Sequence, residues 1–385
     1  SRNNLKYLKW SYEAIRKNQG NHEVEICVAD DASTDGTWEW CQEMMEKDPH
    51  FKAILNDTGK RLGHTILYDR LINEVATNDI AMIYHADMYL CPGALDAIEQ
   101  EIKPRTIVSL TRIEPPLHPD GPEKILRDFG VEPEEFKEEA LLAFINSRVP
   151  NQDTTEGIFA PWAFYREDFQ KIGGHDPLYA PQSKEDSDIF NRFMLDGVSF
   201  VQTWHGCVYH MTCRGSRRNT VDKAKNIYED SPEWLAQNER STRNFIRKWG
   251  HFVKHDALMK PIVPPKYNIA IRVFNATEAL LRVLEPWGDT IYVDLLQEKI
   301  DSYIQQEQPN TAYDLTERIV DRAEADITVR IDGKTFNAQD FQYIQMLPDI
   351  LKENQTTGKF MLGNIELTIE RLIEYQDQLI NLQHG

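Results

Sequence analysis

Asp79-Ile-Ala-Met-Ile-Tyr-His-Ala-Asp-Met-Tyr-Leu-Cys-Pro92 is the stretch whose reading decides how the first two thirds of the chain are understood. Ile80 to Tyr84 is a short apolar run of strand-forming residues, which predicts a buried strand, and Pro92 predicts a stop just beyond it. His85-Ala86-Asp87 falls where that strand emerges. Ligands of open α/β sheets bind at the carboxyl ends of strands, so an imidazole and a carboxylate there suggest a metal ion or a sugar hydroxyl as partner. A loop that satisfies its own polar groups is the competing reading.

Working outward from this stretch, strands and helices alternate. Leu5 to Lys17 reads as a helix with Leu5, Leu8, Tyr12 and Ile15 on one face, Glu23 to Ala29 as a strand, and Trp38 to Lys47 as a helix. Between the last two lies a dense acidic turn, Asp30-Asp31-Ala32-Ser33-Thr34-Asp35-Gly36-Thr37. Phe51 to Leu55 reads as a strand, Gly59 to Gly63 as a loop and Ile66 to Ala76 as a helix. This alternation predicts an α/β fold with a mostly parallel sheet covered on both faces. Downstream come a proline-rich acidic segment, Glu114 to Glu139, and a strand-like stretch, Gly157 to Tyr165. Trp162 within that stretch either stacks on a sugar or packs in the core. Glu185-Asp186-Ser187-Asp188 opens an amphipathic helix with Ile189, Phe190, Phe193 and Met194 on its apolar face, and acids in a first turn also simply favour the helix dipole. A strand-like run from Ser199 ends at His210, and Arg214-Gly215-Ser216-Arg217-Arg218 follows as a basic loop that either meets an anionic group or is simply solvated.

Composition bounds the function classes. The 385 residues suffice for two domains, and 41% hydrophobic content with 8 Trp, 15 Tyr and 16 Phe supports packed cores. A formal charge of −19 argues against nonspecific attraction to nucleic acid or acidic membrane. The 5 cysteines form no C-x-x-C pair, which argues against a disulfide framework or structural zinc and points to a reducing compartment. With no apolar run of membrane-spanning length and no signal peptide, the expected location is cytoplasmic.

The acidic turn from Asp30, the His85-Ala86-Asp87 triplet, Gly173-Gly174, the pair Glu185-Asp186 with Asp188, and His210 together resemble the family 2 glycosyltransferases of the GT-A fold. The resemblance covers roughly residues 1 to 250. It implies a metal-dependent enzyme that moves a sugar from a nucleotide-diphosphate donor, most simply a UDP-sugar and otherwise a GDP-sugar, to an acceptor hydroxyl with inversion. In that pattern Asp30 and Asp31 contact the base or ribose. Asp87 and His210 bind Mn²⁺ or Mg²⁺, the imidazole favouring Mn²⁺. Asp186, with Glu185 beside it, supplies the general base. Arg214 lies in the loop that could close over the diphosphate. Two departures stand out. The strand that normally precedes the first helix is absent, and His85 occupies the place of the first aspartate in the family's D-x-D, where it would touch ribose or ion. A catalytically inactive nucleotide-sugar or glycan binding protein and a GT-A-like nucleotidyltransferase are the other function classes.

The expected organisation is a GT-A domain over 1–256, a Pro-rich linker over 257–266 and a smaller C-terminal α/β or α+β domain over 267–385. In the last, Tyr267 to Phe274, Thr290 to Val293, Asp326 to Ile331 and Phe360 to Leu367 read as strands. Ala276 to Leu284, Tyr313 to Ala323, Ala338 to Leu351 and Ile369 to Leu379 read as helices. The apolar face of the final helix makes homodimerisation one expected role. The acceptor, whether glycan, lipid, protein or modified nucleobase, is not legible in the residues.

Overall fold

The computed structural model of the protein describes residues 1–212, 218–222 and 227–382, so Cys213 and the run Arg214 to Arg217 lie outside the described residues. The chain forms two compact units. The first comprises Ser1–Gln182, Gly197–Leu235 and His255–Ile262, and the second Ser183–Asp196, Ala236–Lys254 and Val263–Gly385. A single boundary at 257–266 therefore does not describe the division, because the helix that begins at Glu185 contributes its packing to the second unit.

In the first unit the helices are α1 (Leu5–Asn18), α2 (Thr37–Lys47), α3 (Gly63–Arg70), α4 (Ala94–Glu101), α5 (Glu138–Ser147) and α6 (Arg166–Lys171). Strands β1 (Ile26–Asp30) and β2 (Phe51–Leu55) form a parallel pair. Seven more strands make the main sheet: β3 (Ile80–Ile83), β4 (Met88–Leu90), β5 (Thr106–Glu114), β6 (Lys124–Leu126), β7 (Thr154–Thr155), β8 (Trp162–Tyr165) and β9 (Ser199–His210). Their order is β3-β8-β5-β9-β4, with β6 beside β5 and β7 beside β9. The class is α/β, and strand directions within this sheet are mixed: β5 is parallel to β9 and β6, while β3–β8, β5–β8, β7–β9 and β4–β9 are antiparallel. A short hairpin, β10 (Arg218–Asp222) with β11 (Ile227–Asp230), follows. All nine positions of β5 are buried, as a strand covered on both faces requires.

Helix α1 serves two cores. Leu8, Tyr12 and Ile15 pack with Ile26, Val28 and Phe51, whereas Tyr7, Trp10 and Ala14 pack with Tyr89, Ile113 and Tyr209. The apolar stripe in its sequence identifies only the first of these faces. Ile26 and Val28 of β1 and Ile80 to Ile83 of β3 line one common cavity, and among the described residues β1 pairs as a strand with β2 and β3 with β8.

The second unit holds α7 (Glu185–Leu195), α8 (Pro232–Trp249, from Ala236 onward), α9 (Glu278–Leu284), α10 (Gln297–Glu307), α11 (Leu315–Arg318) and α12 (Ala338–Asn354). Its sheet has the order β13-β12-β14-β16-β15, made of β12 (Ile269–Phe274), β13 (Thr290–Val293), β14 (Ile327–Asp332), β15 (Gly358–Leu362) and β16 (Ile365–Ile369). Strand β12 is parallel to β13 and β14, and β16 runs antiparallel to β14 and β15. Three expectations change here. The stretch Phe360 to Leu367 is a hairpin that turns at Gly363, whose φ of 62° suits glycine. The helix expected over Tyr313 to Ala323 is confined to Leu315–Arg318. Residues 370–379 are not a helix apart from a 3-10 turn at Gln376–Leu379. Tertiary bonds override their periodicity: Glu370 N donates to Asp326 O at 2.9 Å, Tyr375 N to Lys266 O at 2.7 Å and Tyr375 Oη to Asp326 Oδ2 at 2.7 Å. The apolar helical face on which homodimerisation was to rest does not exist.

Candidate active site

The strand β3 ends at Ile83, and the chain passes through His85-Ala86-Asp87 into β4 at the other side of the sheet. There β4 pairs antiparallel with β9, Met88 opposite His210, and Met211 N donates to Asp87 O at 3.0 Å. This register brings together residues far apart in the chain. Ring nitrogens of His85 and His210 and a carboxylate oxygen of Asp87 lie within 4.8 Å of one another, the spread expected of donors around one ion. The two imidazole rings are 5.9 Å apart, and His210 Nε2 is 3.4 Å from Asp87 Oδ1. Two nitrogens and one carboxylate oxygen form a donor set that suits Mn²⁺ and is adequate for harder Mg²⁺.

Behind this trio stands a residue that the sequence reading passed over. In the parallel β5–β9 pairing Ile113 is opposite Tyr209, so the next rung sets Glu114 beside His210. Its Oε1 is 2.9 Å from His210 Nδ1 and accepts from Arg112 Nη1 at 2.9 Å, while Lys124 Nζ lies 3.4 Å from Oε2. An acid at the last position of a buried nine-residue strand was the available signal.

The electrostatics follow from burial and partners. Burial alone would lower the His210 pKa, but Asp87 and Glu114 on either side outweigh it and push it up to about 9. His85, with burial dominant and His210 adding repulsion, falls to about 4 despite Asp87. Burial opposes ionisation of Glu114, yet the His210 hydrogen bond and the charges of Arg112, His210 and Lys124 hold it well below the usual carboxylate range. Asp87 is also lowered, His210 overcoming its desolvation. All four residues line a cavity of about 1140 Å³ in the first unit.

Asp31 also reaches this cavity, but its carboxylate is heavily engaged. Oδ1 accepts from Asn56 Nδ2 at 2.6 Å and Leu62 N at 3.0 Å, and Oδ2 from Gly63 N at 2.9 Å. Gly63 has φ 74° and no room for a side chain, since a Cβ there would stand 1.9 Å from Pro181 O. Asp31 thus fixes the loop before α3, and its pKa is lowered: these donors overcome the effect of burial. Asp30 is fully buried with Oδ1 accepting from Ser33 N at 3.1 Å, the turn-capping geometry of an Asx motif. Trp162 is fully buried, 4.6 Å from the Phe164 ring, and belongs to the core.

Glu185 and Asp186 stand in the first turn of α7, in the second unit, Glu185 buried and Asp186 half-buried. Asp188 has a structural part there: Lys248 Nζ at 2.7 Å, Arg192 Nε at 2.8 Å and Trp249 Nε1 at 2.9 Å all meet its carboxylate. Arg214 lies outside the described residues. A second trio, His22, Asp96 and Glu99, also gathers potential ligand atoms, with both acids exposed.

Residues 1–173 match the family described as Glycosyl transferase family 2. No curated protein matches the chain. Among solved structures, GalNAc-T7 with UDP, GalNAc and Mn²⁺ is 13% identical over 52% of this chain and 40% of its own, with a TM-score of 0.39. The mannosyltransferase PcManGT from Pyrobaculum calidifontis, in complex with GDP-Man and Mn²⁺, is 19% identical over 56% of each chain, with a TM-score of 0.39. S. aureus TarS 1-349 in complex with UDP-GlcNAc is 12% identical over 64% of this chain and 63% of that one, with a TM-score of 0.37. The chain therefore spans between 40% and 63% of the length of these three. No helix among the described residues is long and apolar enough to cross a membrane.

Proposed function

Because residues 1–173 match the model of glycosyl transferase family 2 and the first unit is built on an α/β sheet of the kind the GT-A fold has, we propose that the chain is a metal-dependent glycosyltransferase using a nucleotide-sugar donor. The observation that carries the reading is the convergence of His85, Asp87 and His210 on one point of a cavity wall. These three residues would hold Mn²⁺ or Mg²⁺, and a divalent ion there supplies charge stabilisation to a departing diphosphate. Asp87 brings the negative charge, His210 the imidazole that Glu114 backs, and His85 a ring that burial keeps neutral and so able to donate a lone pair. UDP is the preferred nucleotide and GDP the second.

Asp186 acts as general base in this proposal, drawing the proton from an acceptor hydroxyl as it attacks the anomeric carbon from the face opposite the leaving group. The anomeric C–O bond to the diphosphate breaks as the new C–O bond forms, with inversion. Titration of UDP- and GDP-sugars with and without Mn²⁺ tests donor and metal together. Donor affinity that ignores Mn²⁺ in the wild type and is unchanged in Asp87→Ala and His210→Ala removes the metal site. For the base, Asp186→Asn should keep donor affinity and lose roughly a hundred- to ten-thousand-fold in turnover. Unchanged turnover in that variant sinks the assignment.

A further inference from the structure

We propose that Glu114 is the positioning residue of this centre, its carboxylate holding the His210 ring so that Nε2 is the nitrogen presented beside Asp87. The inference rests on the reading of His85, Asp87 and His210 as metal ligands. It starts from where the carboxylate is and what it touches. Glu114 is 1% exposed, at the last position of β5, and Oε1 sits 2.9 Å from His210 Nδ1. A neutral imidazole that donates its Nδ1–H to a carboxylate has its lone pair on Nε2, so an ion there would displace the Nε2 proton, and the hydrogen bond fixes both tautomer and ring plane. On the other side of that ring, Nε2 is 3.4 Å from Asp87 Oδ1.

Besides His210, the surroundings hold Glu114 in place. Arg112 is itself clamped, its guanidinium 3.9 Å from the Phe159 ring centroid and 3.5 Å from a second carboxylate, Glu123. Lys124 likewise lies 3.8 Å from Glu123. Two cations thus share two carboxylates, and Glu114 in addition reaches the His210 imidazole. Its own orientation is set by Arg112 at 2.9 Å, so the ring inherits the rigidity of β5, a strand buried along its whole length. His85 shows the contrast: no hydrogen bond reaches its ring among the described residues, leaving the trio with one braced imidazole and one unbraced.

Mn²⁺ binding to the full chain, without donor, tests this directly through the electron paramagnetic signal of free Mn²⁺ and the nitrogen couplings of the bound ion. The wild type should bind with couplings from two imidazoles. Glu114→Ala should bind about 10- to 100-fold more weakly and lose one coupling, while Glu114→Gln, which keeps an acceptor of the same shape, should fall between. In a His210→Ala background the Glu114 substitutions should weaken Mn²⁺ no further, an interaction that a general structural role would not produce. Should the wild type bind no Mn²⁺, the metal reading itself fails and this inference with it. Should the wild type bind while Glu114→Gln and Glu114→Ala match it, or weaken binding equally with and without His210, the positioning role is overturned. If Glu114→Ala does not fold, the isosteric Glu114→Gln pair of measurements decides alone.

Discussion

Each unit of the protein buries a cluster of charge, and the two clusters are built on opposite principles. In the second unit Arg247 meets Glu285 at 2.6 Å and Glu307 at 2.8 Å, Arg318 meets Glu285 at 2.7 Å, and Arg243 grips both oxygens of Glu307 at 2.8 and 2.9 Å. Tyr303 completes Glu285 at 3.0 Å, so every carboxylate oxygen has a donor. In the first unit Asp87 and Glu114 share one imidazole, and the ring nitrogens of His85 carry no hydrogen bond among the described residues. The second cluster is closed and made of guanidinium groups that cannot shed their charge; the first faces a cavity and is made of imidazoles that can. Buried charge by itself therefore does not mark a working site. Titratable groups gathered on a cavity wall are the better candidate, because they can change charge.

The comparison breaks most visibly at Arg247. Arg247→Met should destabilise the chain by about 3–5 kcal/mol in denaturant unfolding, since Glu285 and Glu307 remain buried with their charge undercompensated, and Mn²⁺ binding to the folded protein should not change. A loss within experimental error would show that the network is not closed in the way its hydrogen bonds suggest. Next in size is a pH effect in the same unit. His251 is fully buried against Phe245 and Trp249, donates Nδ1–H to Phe252 O at 2.6 Å and feels Lys254, Lys266 and Asp349. Burial, the largest influence, lowers its pKa from 6.5 to about 4. Between those values the unfolded chain binds a proton that the folded chain refuses, so stability is present above pH 6.5 and lost as pH falls toward 4, by about 3 kcal/mol over the window. His251→Phe should flatten that slope relative to wild type in unfolding titrations. The smallest effect belongs to the open cluster. Asp87→Asn should change metal-free stability by only about 1 kcal/mol, because His210 can release its proton when its partner is lost, while Mn²⁺ affinity collapses. A cost matching that of Arg247→Met would erase the distinction.

What the sequence discloses divides along a physical line. His85 and Asp87 were legible because a short apolar strand followed by polar residues places them at a sheet end, whereas His210, a lone histidine at the end of a strand-like run, was legible only through the family resemblance. Glu114 was not, since its partnership with His210 depends on the pairing register of β5 and β9, which no local pattern carries. Asp31 was read as a contact to base or ribose, and its carboxylate also organises Asn56, Leu62 and Gly63 from another segment. In the second unit, Ile369 to Leu379 has helical spacing, but Asp326 and Lys266 capture its backbone and Tyr375. Short periodic stretches lose to tertiary bonds, whereas the apolar strands β12 and β14 survive because burial and pattern agree.

The chain passes from one unit to the other after Gln182, Asp196, Leu235, Lys254 and Ile262. That weaving makes the C-terminal half a poor cassette for recombination. A gene severed in the proline-rich stretch at 257–266 would separate α7 and Arg247 from Glu285, Glu307 and the sheet built on β12. The C-terminal fragment would then lack two segments of its own unit, 183–196 and 236–254. Replacing everything after that point with a foreign module would leave α7 and Arg247 without the partners that complete their unit, a constraint that proteins whose modules follow one another do not face.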